Sequence, residues 1–210
     1  MTAIRRGRLV AVEGIDGTGK STLVLALARA LRLRGYSVAV RREPADRRLG
    51  RLAQEASVRD AWTGAVYFTV DRHLARPALL AALRTHDLVV SDRSYFSTVA
   101  YQGSALPAGD RRRIESLQRG ASVPPDLVLL LDLSPAAALE RLGARSSVRA
   151  PLERRRTLAR VAAAYRRLAR RERWRVLDAS RPRSELVAEA LRAIDPPGRR
   201  ARWRRSGDQR

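Results

Sequence analysis

The chain contains no cysteine and no asparagine, one lysine, one methionine and two histidines among its 210 residues. Without cysteine there is neither a disulfide framework nor a thiolate metal site. His73 and His86 are isolated, so any metal used here is expected to be bound through oxygen. Aromatic residues make up only 5% of the chain, and no apolar run approaches the roughly 20 residues a membrane helix needs. The opening stretch MTAIRRGRLVAVEG lacks the apolar core and small-residue cleavage site of a secretory signal. These absences point to a soluble, cytoplasmic protein with one main domain.

Acidic residues are also scarce, 21 against 43 basic ones, for a net charge of +22. At average composition such a surplus would suggest nucleic acid or a membrane surface as partner. Here 42 of the 43 basic residues are Arg. Lys and Asn have A-rich codons, so a GC-rich coding sequence drifts toward Arg without selection for a polyanion. Nucleic-acid binding is therefore expected to be nonspecific at most, and no membrane partner is expected. The same bias gives weight to Lys20, the single position where a compact ammonium rather than a planar fork has been kept.

Strand and helix patterns alternate from the start. Short β-branched or apolar runs at 8–13, 36–42, 87–91, 126–133 and 174–177 predict five strands. Helical patterns separate them: 21–34, 47–83 with breaks near Gly64 and at Pro77, 94–102, 110–119, 135–142, 152–173 and 184–194. The run Asp126 to Leu133 is apolar without alternation, as in a strand covered on both sides. An α/β fold follows, a five-stranded parallel sheet with helices on both faces, occupying 1–194. The polar, Arg-bearing segment at about 143–154 reads as a short mobile lid. Residues 195–210 carry six Arg, two Asp and no apolar periodicity, and read as a disordered tail.

Gly14-Ile15-Asp16-Gly17-Thr18-Gly19-Lys20-Ser21 fits the phosphate-loop pattern G-x-x-x-x-G-K-[ST], placed between a predicted strand and a predicted helix. In such a loop the glycines let backbone amides turn toward phosphate, Lys20 reaches the outer phosphates, and Ser21 ligates Mg. Gly14 through Thr22 are accordingly the expected ATP-binding residues. Motion-coupled ATPases usually place an Asp-Glu pair after an apolar strand. Here the strands end in Ser91-Asp92-Arg93 and Leu131-Asp132-Leu133, neither with a second acid. Arg42, Arg72 and Arg93 instead supply cations for phosphoryl transfer to a second anion.

In order and spacing these residues resemble the thymidylate kinases, within the nucleoside monophosphate kinases. The resemblance rests on the loop Glu13 to Thr22, Arg42-Glu43-Pro44, Phe68 followed by Asp71-Arg72, Ser91-Asp92-Arg93 leading into Ala100-Tyr101-Gln102-Gly103, and Pro125-Asp126 before the apolar strand. It implies a P-loop kinase fold, Mg-dependent transfer of the ATP γ-phosphate to dTMP, and a homodimer. By that resemblance Asp16 sits beside the acceptor phosphate, which Arg93 holds with Arg42 nearby. Phe68 stacks on thymine, Arg72 bonds its O4, and Ser97 or Thr98 lies at its N3 edge. Tyr101 packs beneath the deoxyribose. Ser21, Asp16 and Asp92 are the oxygen donors assigned to Mg. Thr18 stands where some members carry a catalytic Arg, which moves that role to the lid: Arg149 by gapless counting, with Arg145 and Arg154 as alternatives. Ala45-Asp46-Arg47 replaces the usual Gly-Gly-Thr after the triplet. Two other readings keep the phosphate loop: a sister kinase with another nucleotide or small acceptor, and a nucleic-acid-stimulated ATPase.

Overall fold

A computed structural model describes residues 7–143 and 152–194, and the side chains of all of these except 152–154. Five strands, β1 (Arg8–Glu13), β2 (Val38–Arg42), β3 (Leu88–Asp92), β4 (Leu127–Asp132) and β5 (Arg175–Asp178), form one sheet in the order β2-β3-β1-β4-β5. All four pairings are parallel. The helices are α1 (Lys20–Leu33), α2 (Arg47–Arg59), α3 (Ala61–Thr85), α4 (Tyr95–Ser104), α5 (Ala108–Ala121), α6 (Pro135–Gly143), α7 (Leu152–Arg171) and α8 (Arg183–Ile194). This is the α/β sheet that the alternating pattern predicts.

The central strands are apolar because they are covered twice: β3 is buried at every position, and Val10, Ala11 and Val12 of β1 have no exposed surface. On one face α1 packs against α8, burying Leu23, Leu27 and Leu31. Across the sheet α4 packs against α3, α5 and α7, where Tyr95, Phe96 and Tyr165 fill the core. The β1–β3 register matters most for function. It pairs Val12 with Asp92, so the segments leaving the two strands emerge side by side at their carboxyl ends.

The expected helix breaks fall elsewhere. α3 runs unbroken through Gly64 and Pro77, and the chain turns at Asp60. Asp60 is extended and caps α3, its carboxylate accepting from the amides of Trp62 (3.2 Å) and Thr63 (2.8 Å). Gly64 is a packing glycine: a Cβ there would run into Ser57 Oγ on α2 and come within 2.9 Å of the Ala53 carbonyl. Pro77 is exposed, so water can take the carbonyl that its missing N–H leaves. Most of the expected lid, and all of the expected tail at 195–210, lie outside the described residues.

Candidate active site

Between β1 and α1 the backbone turns through Gly14 (φ 145°), Gly17 (φ 89°) and Gly19 (φ 91°), conformations that side-chain-bearing residues rarely adopt. Space adds a second demand. A Cβ on Gly14 would lie 2.6 Å from the Leu131 carbonyl, and one on Gly17 would strike the carbonyl of Ala138 on α6. Ile15 is buried in the core and anchors the loop, while Thr18 ties it across with Oγ1 donating to the Ile15 carbonyl at 2.9 Å. Gly19 caps α1 without a side-chain hydrogen bond, which leaves the helix's first amides to attract an anion.

Lys20 lies inside the curve of this loop. Its Nζ donates to the carbonyls of Gly14 (2.9 Å) and Ile15 (2.8 Å) and sits 3.9 Å from Asp16 Oδ1. Burial lowers its pKa from the ordinary 10.5 to about 8, and repulsion from Arg93 adds to the shift.

The oxygen donors are divided. Ser21 Oγ donates to Asp92 Oδ2, whereas Asp92 Oδ1 is buried with no hydrogen-bond partner. An unsatisfied buried carboxylate oxygen is costly, and a divalent cation would satisfy it. The hydroxyl and carboxylate suit Mg completed by ligand phosphates and water. Among the described residues no group of three or more His, Cys, Asp and Glu could hold a metal, so phosphate oxygens would have to complete the shell. The Asp16 carboxylate, which lies near Lys20, is ion-paired with Arg93.

Arg93 follows β3 in a left-handed conformation (φ 78°), its amide donating to the Val12 carbonyl at 3.0 Å. Its guanidinium therefore reaches from one strand end to the other, pairing with Asp16, donating to Ser97 Oγ at 3.1 Å, and lying 5.5 Å from the Tyr101 ring centre. The Tyr101 hydroxyl accepts from the Asp16 amide at 3.1 Å, and burial pushes its pKa up to about 12. A cavity of about 340 Å³ opens at this point. Arg42, Phe68, Arg72, Arg93, Ser97, Thr98 and Tyr101 all line it, together with Asp16 and Gln54. The expected acceptor residues, drawn from β2, α3, α4 and the turn after β3, are thus brought together.

Arg72 is the most constrained of them. It is 7% exposed, with Nε donating to Glu43 Oε2 (2.7 Å), Nη1 to Thr98 Oγ1 (2.9 Å) and Gln118 Oε1 (2.8 Å), and Nη2 to the Ser94 carbonyl (3.3 Å). The Phe68 ring lies 5.9 Å from its guanidinium carbon.

Several residues that the sequence motifs include were given no role of their own. Glu13, fully buried at the end of β1, accepts from the Ser94 amide and hydroxyl and from Ser97 Oγ (each 2.7 Å) and from the Tyr165 hydroxyl (2.9 Å). Burial raises its carboxyl pKa against the pull of those donors. The signal for it was an acid ending an apolar strand. Asp71 accepts from the amides of Ala45 (2.9 Å) and Asp46 (2.7 Å), which fixes the variant Ala45-Asp46 turn against α3. Asp132 accepts from Arg166 Nε with both oxygens, at 3.0 and 2.9 Å. Arg149 and Arg145 lie outside the described residues, as does the Arg154 side chain.

A parallel sheet carrying a phosphate loop at one strand end, beside a cationic cavity at the next, defines a P-loop phosphotransferase that handles two anionic ligands. The model of the thymidylate kinase family matches residues 12–190. A probable thymidylate kinase of Archaeoglobus fulgidus is 36% identical over 89% of this chain and 94% of its own length. A thymidylate kinase of Leifsonia xyli subsp. xyli is 38% identical over 91% of this chain and 96% of its own. The chain belongs to the thymidylate kinase family.

Proposed function

We propose that the protein transfers the γ-phosphoryl group of ATP to the 5′-phosphate of dTMP, giving ADP and dTDP. The observation that carries this reading is the chain Tyr101–Asp16–Arg93, which joins the phosphate loop directly to the cavity. The donor's phosphates lie along the loop amides and Lys20, and the acceptor's phosphate meets Arg93 with Arg42 nearby. An acceptor phosphate oxygen attacks the γ-phosphorus as the bond to the β–γ bridging oxygen breaks. Asp16 holds the Arg93 guanidinium at the meeting point. Mg held by Ser21 and Asp92, with Asp16 close to the same phosphates, would neutralise charge on the donor. Arg149 is assigned to the transferring group by resemblance alone. In the cavity Phe68 and Arg72 face the base and Tyr101 the sugar, with Ser97 and Thr98 at the base's edge.

A second copy of the chain would complete the assembly through α3. Trp62, Val66, Val70 and Leu74 recur every fourth residue, forming one stripe along the helix, and all four are exposed.

The direct test is ADP release from Mg-ATP with and without dTMP. The reading requires release that depends on dTMP and stops when dTMP is consumed. Acceptor-independent hydrolysis at the same rate would refute it.

A further inference from the structure

Behind Arg72 a chain of hydrogen bonds has only one polarity. Thr69 Oγ1 spends its single proton on the Ala65 carbonyl at 2.8 Å. Its lone pairs are then what Gln118 Nε2 meets at 2.6 Å, and the same amide nitrogen lies 3.4 Å from the Ala65 carbonyl. The Gln118 amide nitrogen is thereby committed to α3, which turns Oε1 toward Arg72 Nη1 at 2.8 Å. Flipping the amide would set donor against donor at Arg72 and acceptor against acceptor at Thr69 and the Ala65 carbonyl. Gln118 is also wholly buried, although it sits on α5 and does not line the cavity.

With Nε held by Glu43 and Nη1 by Thr98 and Gln118, the guanidinium is locked in roll as well as position. Nη2 gives one bond, to the Ser94 carbonyl, and has a second hydrogen to offer. A locked donor at the cavity wall favours a ligand oxygen and opposes a ligand amino group. A rotating one would discriminate less.

We propose that Gln118 is a positioning residue for acceptor specificity: it fixes Arg72 so that bases with a carbonyl at C4 are accepted over bases with an amino group there. The inference rests on the reading of Arg72 as the base-facing donor.

The test compares dTMP with dCMP as acceptors, by kcat/KM, in wild type, Gln118→Met, Gln118→Glu and Arg72→Met, with thermal melting recorded for each. Gln118→Met keeps length and loses the acceptor oxygen. It is expected to reduce the dTMP preference about tenfold, mainly through a higher KM for dTMP with kcat within about threefold. Gln118→Glu keeps an oxygen toward Arg72 and is expected to retain the preference. A merely structural Gln118 would lower the melting temperature in Gln118→Met and leave the preference unchanged. That result, alongside loss of preference in Arg72→Met, overturns the role of Gln118 alone. An unchanged preference in a folded Arg72→Met protein overturns the underlying reading as well. Should Gln118→Met fail to fold, Thr69→Val decides: it frees the amide, so a fall of about threefold supports the proposal and no change contradicts it.

Discussion

The hydroxyl of Tyr101 accepts a hydrogen bond from the backbone amide of Asp16 at 3.1 Å, so a residue of the phosphate loop fixes a ring that lines the neighbouring cavity. If the proposed reading sets that ring beneath the acceptor sugar, a 2′-hydroxyl would face an apolar surface. Burying a hydroxyl without a partner costs about 1–3 kcal/mol, or roughly tenfold to a hundredfold. Wild type is expected to prefer dTMP over ribothymidine monophosphate by at least tenfold. Tyr101→Ala narrows the gap by admitting the ribonucleotide, whereas Tyr101→Phe, which keeps the ring, preserves it. Equal kcat/KM for the two acceptors with wild type would remove Tyr101 as the sugar gate.

Lys20 supplies a pH prediction with a definite sign. Its pKa in the folded protein is about 8, below the ordinary 10.5, because burial disfavours the charged form. Below pH 8 both folded and unfolded chains hold the proton. Between about 8 and 10.5 only the unfolded chain does, so the contribution of Lys20 to stability rises with pH across that window. A bound triphosphate favours the ammonium, so donor binding near pH 8.5 should take up a proton. Calorimetric titration of ATP in buffers of different ionisation enthalpy measures this uptake, and Lys20→Met should abolish it. Equal proton uptake by the variant would assign it to another group.

Asp92 and Ser21 are separated by 71 residues and meet through the β1–β3 register. With Oδ1 unsatisfied, Asp92→Asn is expected to raise the Mg concentration for half-maximal activity about tenfold or more while the protein stays folded. Activity as a function of Mg at saturating nucleotide checks it. An unchanged Mg requirement would place the ion elsewhere.

The α3 stripe makes a prediction about assembly. A charge placed on it, Val70→Glu, should leave a folded monomer, because a carboxylate would be buried unpaired between two copies. Sedimentation of wild type and variant across protein concentration distinguishes the outcomes. A wild type that sediments as a monomer throughout contradicts a dimer.

Legibility from sequence followed the range of the interactions. The phosphate loop could be read because its glycines, Lys20 and Ser21 act within eight residues, where turn geometry imposes the pattern. Arg93 and Arg42 could be read because ligand sites gather at the carboxyl ends of parallel strands. The turn at Asp60 was obscured by Gly64 and Pro77, which look like breaks. One is a glycine needed where α3 crosses α2, and the other lies on an exposed helix face. Glu13 with Tyr165, and Gln118 with Arg72, were not readable as pairs. They are 152 and 46 residues apart, and only the packing of α7 and α5 against the site brings them together.

The identity of the acceptor is tested most directly by one competition experiment. The protein is incubated with Mg-ATP and an equimolar mixture of dTMP, dUMP, UMP, CMP and AMP, and the nucleoside diphosphates formed early in the reaction are separated by mass. The site described here predicts dTDP as the main product, dUDP next because it shares the C4 carbonyl and the deoxyribose, and the ribonucleotides far behind. A main product of CDP or UDP, or ADP formation with no dTDP, would contradict it.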